Sequence, residues 1–149
     1  MKISRKGRYA LRSLVYLSMN NSTENKETLS NIARLNGIST KYLEQIFSNL
    51  RRAGIVRSVH GINGGYYLSD KPDKITVEDV LQAVEGDYRI EDEETSEECM
   101  YKGISNTVQR MVIDEINRQT GKVIHNLTLE DLVEGYTAKD KEADEVYYI

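Results

Sequence analysis

Thr40, Lys41, Glu44 and Gln45 fall on one side of the segment 40–53, and Leu43, Ile46, Phe47 and Leu50 fall on the other at i, i+3, i+4 and i+7. Side chains of the first kind can read the edges of base pairs. A glutamate accepts from cytosine N4, and a glutamine pairs with adenine N6 and N7. Glu44 is the most telling of the four, because an acid facing phosphates is unfavourable unless it reads a base. Arg52 extends the same face. A second constellation follows in "RSVHGINGGYYL", residues 57–68. Arg57, His60 and Asn63 offer donors, and Gly61, Gly64 and Gly65 let backbone approach a partner closely. The competing reading of that stretch is a plain solvent-facing hairpin with a loosened, polar tip.

Little else points to chemistry. The two histidines, His60 and His125, are far apart in sequence, and neither joins a nucleophile or a metal-ligand spacing. No catalytic residue and no metal ligand is expected. Cys99 is the single cysteine, which rules out a disulfide framework and fits a reducing compartment. Seven acidic residues in "DYRIEDEETSEE" (87–98) lead up to it and disfavour the reactive thiolate.

Charge separates the chain into halves. Residues 1–74 carry 13 Lys and Arg against 5 Asp and Glu, a net of +8, and residues 75–149 carry 7 against 19, a net of -12. A basic half suits a polyanion and an acidic half suits something else. Two solvated surfaces of opposite sign would be the blander explanation. The opening "MKISRKGRYALRSLVYL" is not expected to be a signal peptide, because Arg12 and Tyr16 interrupt its apolar run. No run approaches the ~18 apolar residues of a membrane span. The expectation is a cytoplasmic protein with no membrane partner.

These residues need elements to hold them. Leu11, Leu14, Val15 and Leu17 predict a first helix over 5–19. Thr28 caps a second, short helix that stops at Asn36-Gly37, and Ser39 or Thr40 opens a third that ends at Gly54. Two helices joined by a short glycine turn make a helix-turn-helix. Ile55–Val59 and Tyr66–Leu68 are then strands of a wing with His60–Gly65 as its tip. The Thr-x-x-Asp pattern in "TVED" (76–79) opens a further helix, and "TLED" (128–131) repeats it for a last short one. Between them, 87–98 is expected to be a mobile loop, and a long helix runs from about Ser105. The fold expected is mainly α with a small β-hairpin: a winged helix-turn-helix over 1–74, and a helical dimerisation and regulatory region over 75–149.

The stretches "MKISRKGRYALRSLVYL", "ISTKYLEQIFSNLRRAGIVRSVHGINGGYYLS", "ITVEDVLQAVEG" and "LTLEDLV" together resemble the Rrf-two regulator family of bacterial winged-helix transcription factors, over nearly the whole chain. The resemblance implies a homodimer joined through the long helix, with Val108, Val112 and Ile116 on the shared stripe, and binding to a palindromic double-stranded DNA operator. Iron–sulfur members of the family carry three cysteines near this loop and helix. Here Cys99 alone lies there, with Thr107 and Arg110 near the other ligand positions, and Arg8 stands where nitric-oxide-sensing relatives can place an aspartate ligand. No cofactor is expected. The resemblance is strongest to the cluster-free, CymR-like branch of cysteine-metabolism repressors. It extends to the tail "DEVYYI", in which Tyr147, Tyr148 and Ile149 could dock cysteine synthase or pack back on the protein's own dimer.

The function expected is sequence-specific transcriptional regulation, as a repressor of cysteine and sulfur metabolism genes. DNA contacts are assigned to Thr40, Lys41, Glu44, Gln45, Arg52, Arg57, His60, Gly61, Asn63 and Gly64. The alternatives are an iron–sulfur or thiol redox sensor of the same family, and a protein-interaction module docking cysteine synthase. No enzyme is expected.

Overall fold

Two side-chain caps set the pair of helices on which the fold turns. In the computed structural model, which describes residues 2–19 and 26–146, Thr28 Oγ1 accepts from Asn31 N at 3.2 Å and starts α2, Leu29–Asn36. Ser39 Oγ accepts from Tyr42 N at 3.2 Å and starts α3, Thr40–Arg52. Between them Gly37 takes φ 65, a left-handed conformation that glycine adopts without a Cβ penalty and that reverses the chain. The helix-turn-helix has the boundaries its sequence predicts.

Helix α1, Arg5–Met19, lies against this pair through Ala10, Leu14 and Leu17, which meet Ile32, Leu43, Ile46, Phe47 and Leu50 in one buried cluster. Strands β1, Val56–Val59, and β2, Gly65–Leu68, form an antiparallel hairpin in the register Val56↔Leu68 to Val59↔Gly65. Glu27 adds a backbone bridge on its other edge: Glu27 N donates to Tyr66 O at 3.0 Å and Tyr66 N donates to Glu27 O at 2.7 Å.

Helix α4, Val77–Glu85, starts at a reciprocal capping box between Thr76 and Asp79. A long helical rod follows the acidic loop, made of α5 (Lys102–Val108), one π turn (Gln109–Ile113) and α6 (Asp114–Asn126). It begins at Lys102, three residues before the predicted start. Thr128 and Asp131 make a second capping box at the start of α7, Leu129–Lys139, and α8 spans Lys141–Val146. The two boxes are neighbours in space: Val77 N donates to Leu127 O at 2.8 Å and Leu129 N to Ile75 O at 2.9 Å. Ile75, Val80, Val84 and Leu129 join the main cluster, so the basic and acidic halves share one core. A smaller cluster of Val77, Leu81, Tyr88 and Ile124 seats α6 on α4.

The acidic segment 87–98 forms no helix or strand, as expected of a loop, and its contacts run to the long helix. Asn117 holds it like a strand partner, with Ile90 N donating to Asn117 Oδ1 and Asn117 Nδ2 donating to Ile90 O, both at 2.9 Å. Gln109 Nε2 donates to Asp92 Oδ1 at 2.9 Å, and Ser105 Oγ donates to Glu93 Oε2 at 2.6 Å. Charge density argues for disorder only when nothing nearby supplies donors, and the long helix supplies them.

Candidate nucleic-acid interface

Thr40, Lys41, Glu44, Gln45 and Arg52 are all exposed on α3, on the side opposite the buried Leu43, Ile46, Phe47 and Leu50. None of their side chains is engaged by another side chain among the described residues. Arg51 and Arg52 lie in the last turn, where a cation also favours the negative end of the helix. A free acid, a free amide and several free cations on one face are suited to bind something outside the chain.

Aromatic contacts aim this helix. The Tyr9 and Tyr42 rings meet edge to face at 5.8 Å, with the Arg12 guanidinium 5.4 Å from the centre of Tyr9. Farther along, Phe47 meets Tyr66 edge to face at 4.9 Å. Tyr66 also carries the Glu27 bridge, so one residue of β2 fixes the wing to α3 and to the chain before α2. From sequence Tyr66 is a strand residue only; its pairing with Phe47 and Glu27 is long-range and leaves no local pattern.

On the wing, Arg57, His60, Gly61 and Asn63 are exposed. Gly64 differs from the other residues expected to face DNA: it is half-buried, and a Cβ there would run into Val59 O and Gly61 O. Its N–H donates to Gly61 O at 3.0 Å, closing the tip as a four-residue turn. The tip is therefore tight, and Ile62 stands at its apex beside Asn63.

The long rod leaves an apolar stripe uncovered. Val108 is 47% exposed, Val112 47% and Ile116 41%, and Ile104 continues the line. Every fourth residue of an α-helix drifts round the axis by ~40°. The single π turn at Gln109–Ile113 has a wider winding, offsets part of that drift and keeps the stripe on one side. The rod is tied to α4 by Glu78, whose Oε1 accepts from Tyr88 OH and whose Oε2 meets His125 Nδ1, both at 2.6 Å. These hydrogen bonds, Tyr88 first, hold the Glu78 carboxyl below its ordinary value. Burial, then the bond to Glu78, pushes the Tyr88 hydroxyl up to about 12. Tyr147, Tyr148 and Ile149 lie outside the described residues.

The donor set does not fit an iron–sulfur cluster, which needs several thiolates. Cys99 is the one thiol of the chain. Thr107 Oγ1 donates to Gly103 O at 2.9 Å, an internal helix contact. Among the described residues no three His, Cys, Asp or Glu side chains converge on a point that could hold a metal ion. Among those residues, too, no helix is long and apolar enough to cross a membrane.

Comparison with known proteins agrees with this geometry. Residues 3–135 match the Rrf2 family, described as an iron-dependent transcriptional regulator. The transcriptional regulator CymR of Bacillus subtilis (strain 168) is 37% identical over 147 residues, covering 96% of each chain. Its solved structure, that of the global cysteine regulator of B. subtilis, superposes with a TM-score of 0.75 at 36% identity, over 90% of this chain and 97% of the other. The structure of T. potens IscR superposes at 0.72 with 30% identity, over 93% and 91%. Helix-turn-helix, wing, long helix and sequence agree: the chain belongs to the Rrf2 family of DNA-binding transcriptional regulators.

Proposed function

We propose that this regulator works in the cytoplasm as a homodimeric repressor of cysteine and sulfur metabolism genes, bound to a palindromic operator and carrying no iron–sulfur cluster. The observation that carries the DNA-binding part is the free polar face of α3 beside a wing that Phe47 and Tyr66 fix to it. Such a helix lies in the major groove with its N-terminal residues toward the bases. Thr40, Lys41, Glu44 and Gln45 read base edges there. Arg52, Arg57, His60, Asn63 and the Gly61 backbone hold the phosphates and minor groove, while Gly64 shapes the tip. The stripe Val108, Val112 and Ile116 supports a twofold interface, which spaces two recognition helices over two half-sites.

The similarity to the cysteine regulator of B. subtilis favours sulfur-linked targets, and the lone Cys99 favours the cluster-free branch over the IscR-like alternative. The test is a gel shift of the protein's own promoter fragment over a range of salt, with the protein purified anaerobically. A specific shift that weakens with salt, from a colourless sample, is the expected result. A brown sample, or no shift at any salt, contradicts the reading.

In the same reading the tail Tyr147, Tyr148 and Ile149 recruits cysteine synthase. Docking of a short segment through a few anchoring side chains is a recurring mode of peptide recognition. Calorimetry against cysteine synthase from the same organism, with and without residues 147–149, tests it. Undiminished binding by the truncated chain, or none by the full one, removes this partner.

A further inference from the structure

Ile62 is 103% exposed, more than any other large apolar residue of the described chain. Its position is as unusual as its exposure. The Gly64 N–H to Gly61 O hydrogen bond makes Ile62 and Asn63 the two apical residues of the wing turn. Apical turn positions favour Gly, Asn, Asp and Ser, each for a local reason; a β-branched apolar residue has none of those reasons. Ile62 touches no core; Met19 and Val59, the latter in the wing itself, are each only 39% exposed, and the remaining exposed large apolar side chains lie along and just before the long rod. Scattered exposed apolar residues are ordinary on a protein surface. This one stands at the end of the projection that flanks the recognition helix.

The apex is also held. Gly64 is closed in beneath Val59 O and Gly61 O, and a Cβ on Gly65 would meet Glu27 O at 2.6 Å. Tyr66, next in β2, is fixed by Phe47 and by Glu27. A tip fixed at its base arrives in its bound shape and gives up little freedom on binding. Exposed His60 and Asn63 on either side can meet the acceptors of the minor groove, adenine N3 and thymine O2. Many proteins that enter that groove insert apolar side chains between base steps, partly unstacking them and bending the duplex.

We propose that Ile62 is an apolar wedge that enters the minor groove of the bound duplex and makes the regulator select an easily unstacked pyrimidine–purine step beneath the wing. The proposal rests on the DNA-binding reading above. It adds a specificity-determining residue whose readout is deformability and not hydrogen bonding. TA and CA/TG steps are the most readily kinked, so the preference falls at a position that α3 does not touch.

The full-length protein is used to select duplexes from a randomised pool. One selected duplex is then end-labelled for fluorescence energy transfer, which reads bending and binding together. Ile62→Ser, Ile62→Leu and wild type are compared on that duplex and on a copy whose pyrimidine–purine step is replaced by AA. Wild type and Ile62→Leu are expected to bend the selected duplex and to lose about tenfold in affinity when the step is replaced. Ile62→Ser is expected to bind the selected duplex about tenfold more weakly, to bend it less and to ignore the replacement. Because Ile62 packs against nothing, all three should melt together. If Ile62→Ser matches wild type in affinity, bend and step preference, the wedge is overturned. Weaker binding with unchanged bend and step preference overturns it as well and leaves the apex a groove contact that unstacks nothing. If wild type selects no duplex at all, the DNA-binding reading itself falls.

Discussion

Gly7→Ala is expected to destabilise this protein, although the same change in an ordinary helix stabilises it. Gly7 lies in the first turn of α1 against the Glu85 carboxylate of α4. Glu85 Oε1 accepts from Ser4 N at 2.9 Å, Ser4 Oγ at 2.6 Å and Gly7 N at 3.1 Å. A Cβ on Gly7 would run into that oxygen and crowd Ile3 Cγ2 at 3.2 Å. Alanine gains about 1 kcal/mol over glycine in a helix, while a hydrogen bond to a charged group contributes about 1.5–3 kcal/mol. Displacing the carboxylate therefore outweighs the propensity gain, and Gly7→Ala should lose ~1–2 kcal/mol. With Glu85→Ala already in place only the close approach to the Ile3 side chain remains, and Gly7→Ala should then gain up to ~1 kcal/mol. The four proteins of this cycle are unfolded in urea at one fixed concentration, since association raises apparent stability. The midpoints are read only where the slopes agree. Stabilisation by Gly7→Ala in both backgrounds would refute the account of Glu85 as the carboxylate that closes the start of α1.

Three further outcomes are expected. Glu44→Ala should relax discrimination at one operator position by about 1–3 kcal/mol, read as a flattened base preference in a randomised library; an unchanged preference removes Glu44 from base contact. Val112→Glu should sediment as a monomer and bind DNA poorly, since burying each such side chain contributes ~1.5–3 kcal/mol and a twofold interface counts it twice; a dimeric mutant places the interface elsewhere. The depressed Glu78 carboxyl contributes stability that is present above its ordinary value of 4.5 and lost as pH falls through the lower folded-state value. Glu78→Gln should accordingly melt below wild type at pH 6 and converge with it at strongly acid pH; a gap that is constant with pH would mean the charge on Glu78 contributes nothing.

The elements of the helix-turn-helix and wing were legible because their signals are local. Thr28, Gly37, Ser39 and the Leu43–Leu50 stripe each act within a turn or two of chain. The same is true of the two capping boxes at Thr76 and Thr128. Their mutual pairing was hidden, because an antiparallel bridge across about fifty residues has no sequence signature. The contacts of the acidic loop are hidden for the same kind of reason: it is a loop, as its composition predicts, and the side chains that fasten it, Ser105, Gln109 and Asn117, lie on another element. The π turn at Gln109–Ile113 was invisible, since no residue type demands it. At the wing tip the glycines suggested looseness, whereas Gly64 and Gly65 permit close contacts that make it tight. The polar residues of α3 are legible as a face; Ile62 is not, because an apolar residue between turn formers resembles an accident.

The central claim is that the free face of α3 and the fixed wing read a duplex as a symmetric pair. Selection from a randomised duplex pool by the full-length protein, followed by binding titrations over a series of salt concentrations, tests it most directly. The account predicts an enriched inverted repeat whose half-site centres lie about one helical turn, or a multiple of it, apart, bound by two protomers. It also predicts log affinity falling linearly with log salt, and a gap over random duplex of at least about a thousandfold. Enrichment of no motif, or of a single unrepeated half-site bound by one protomer, would contradict it.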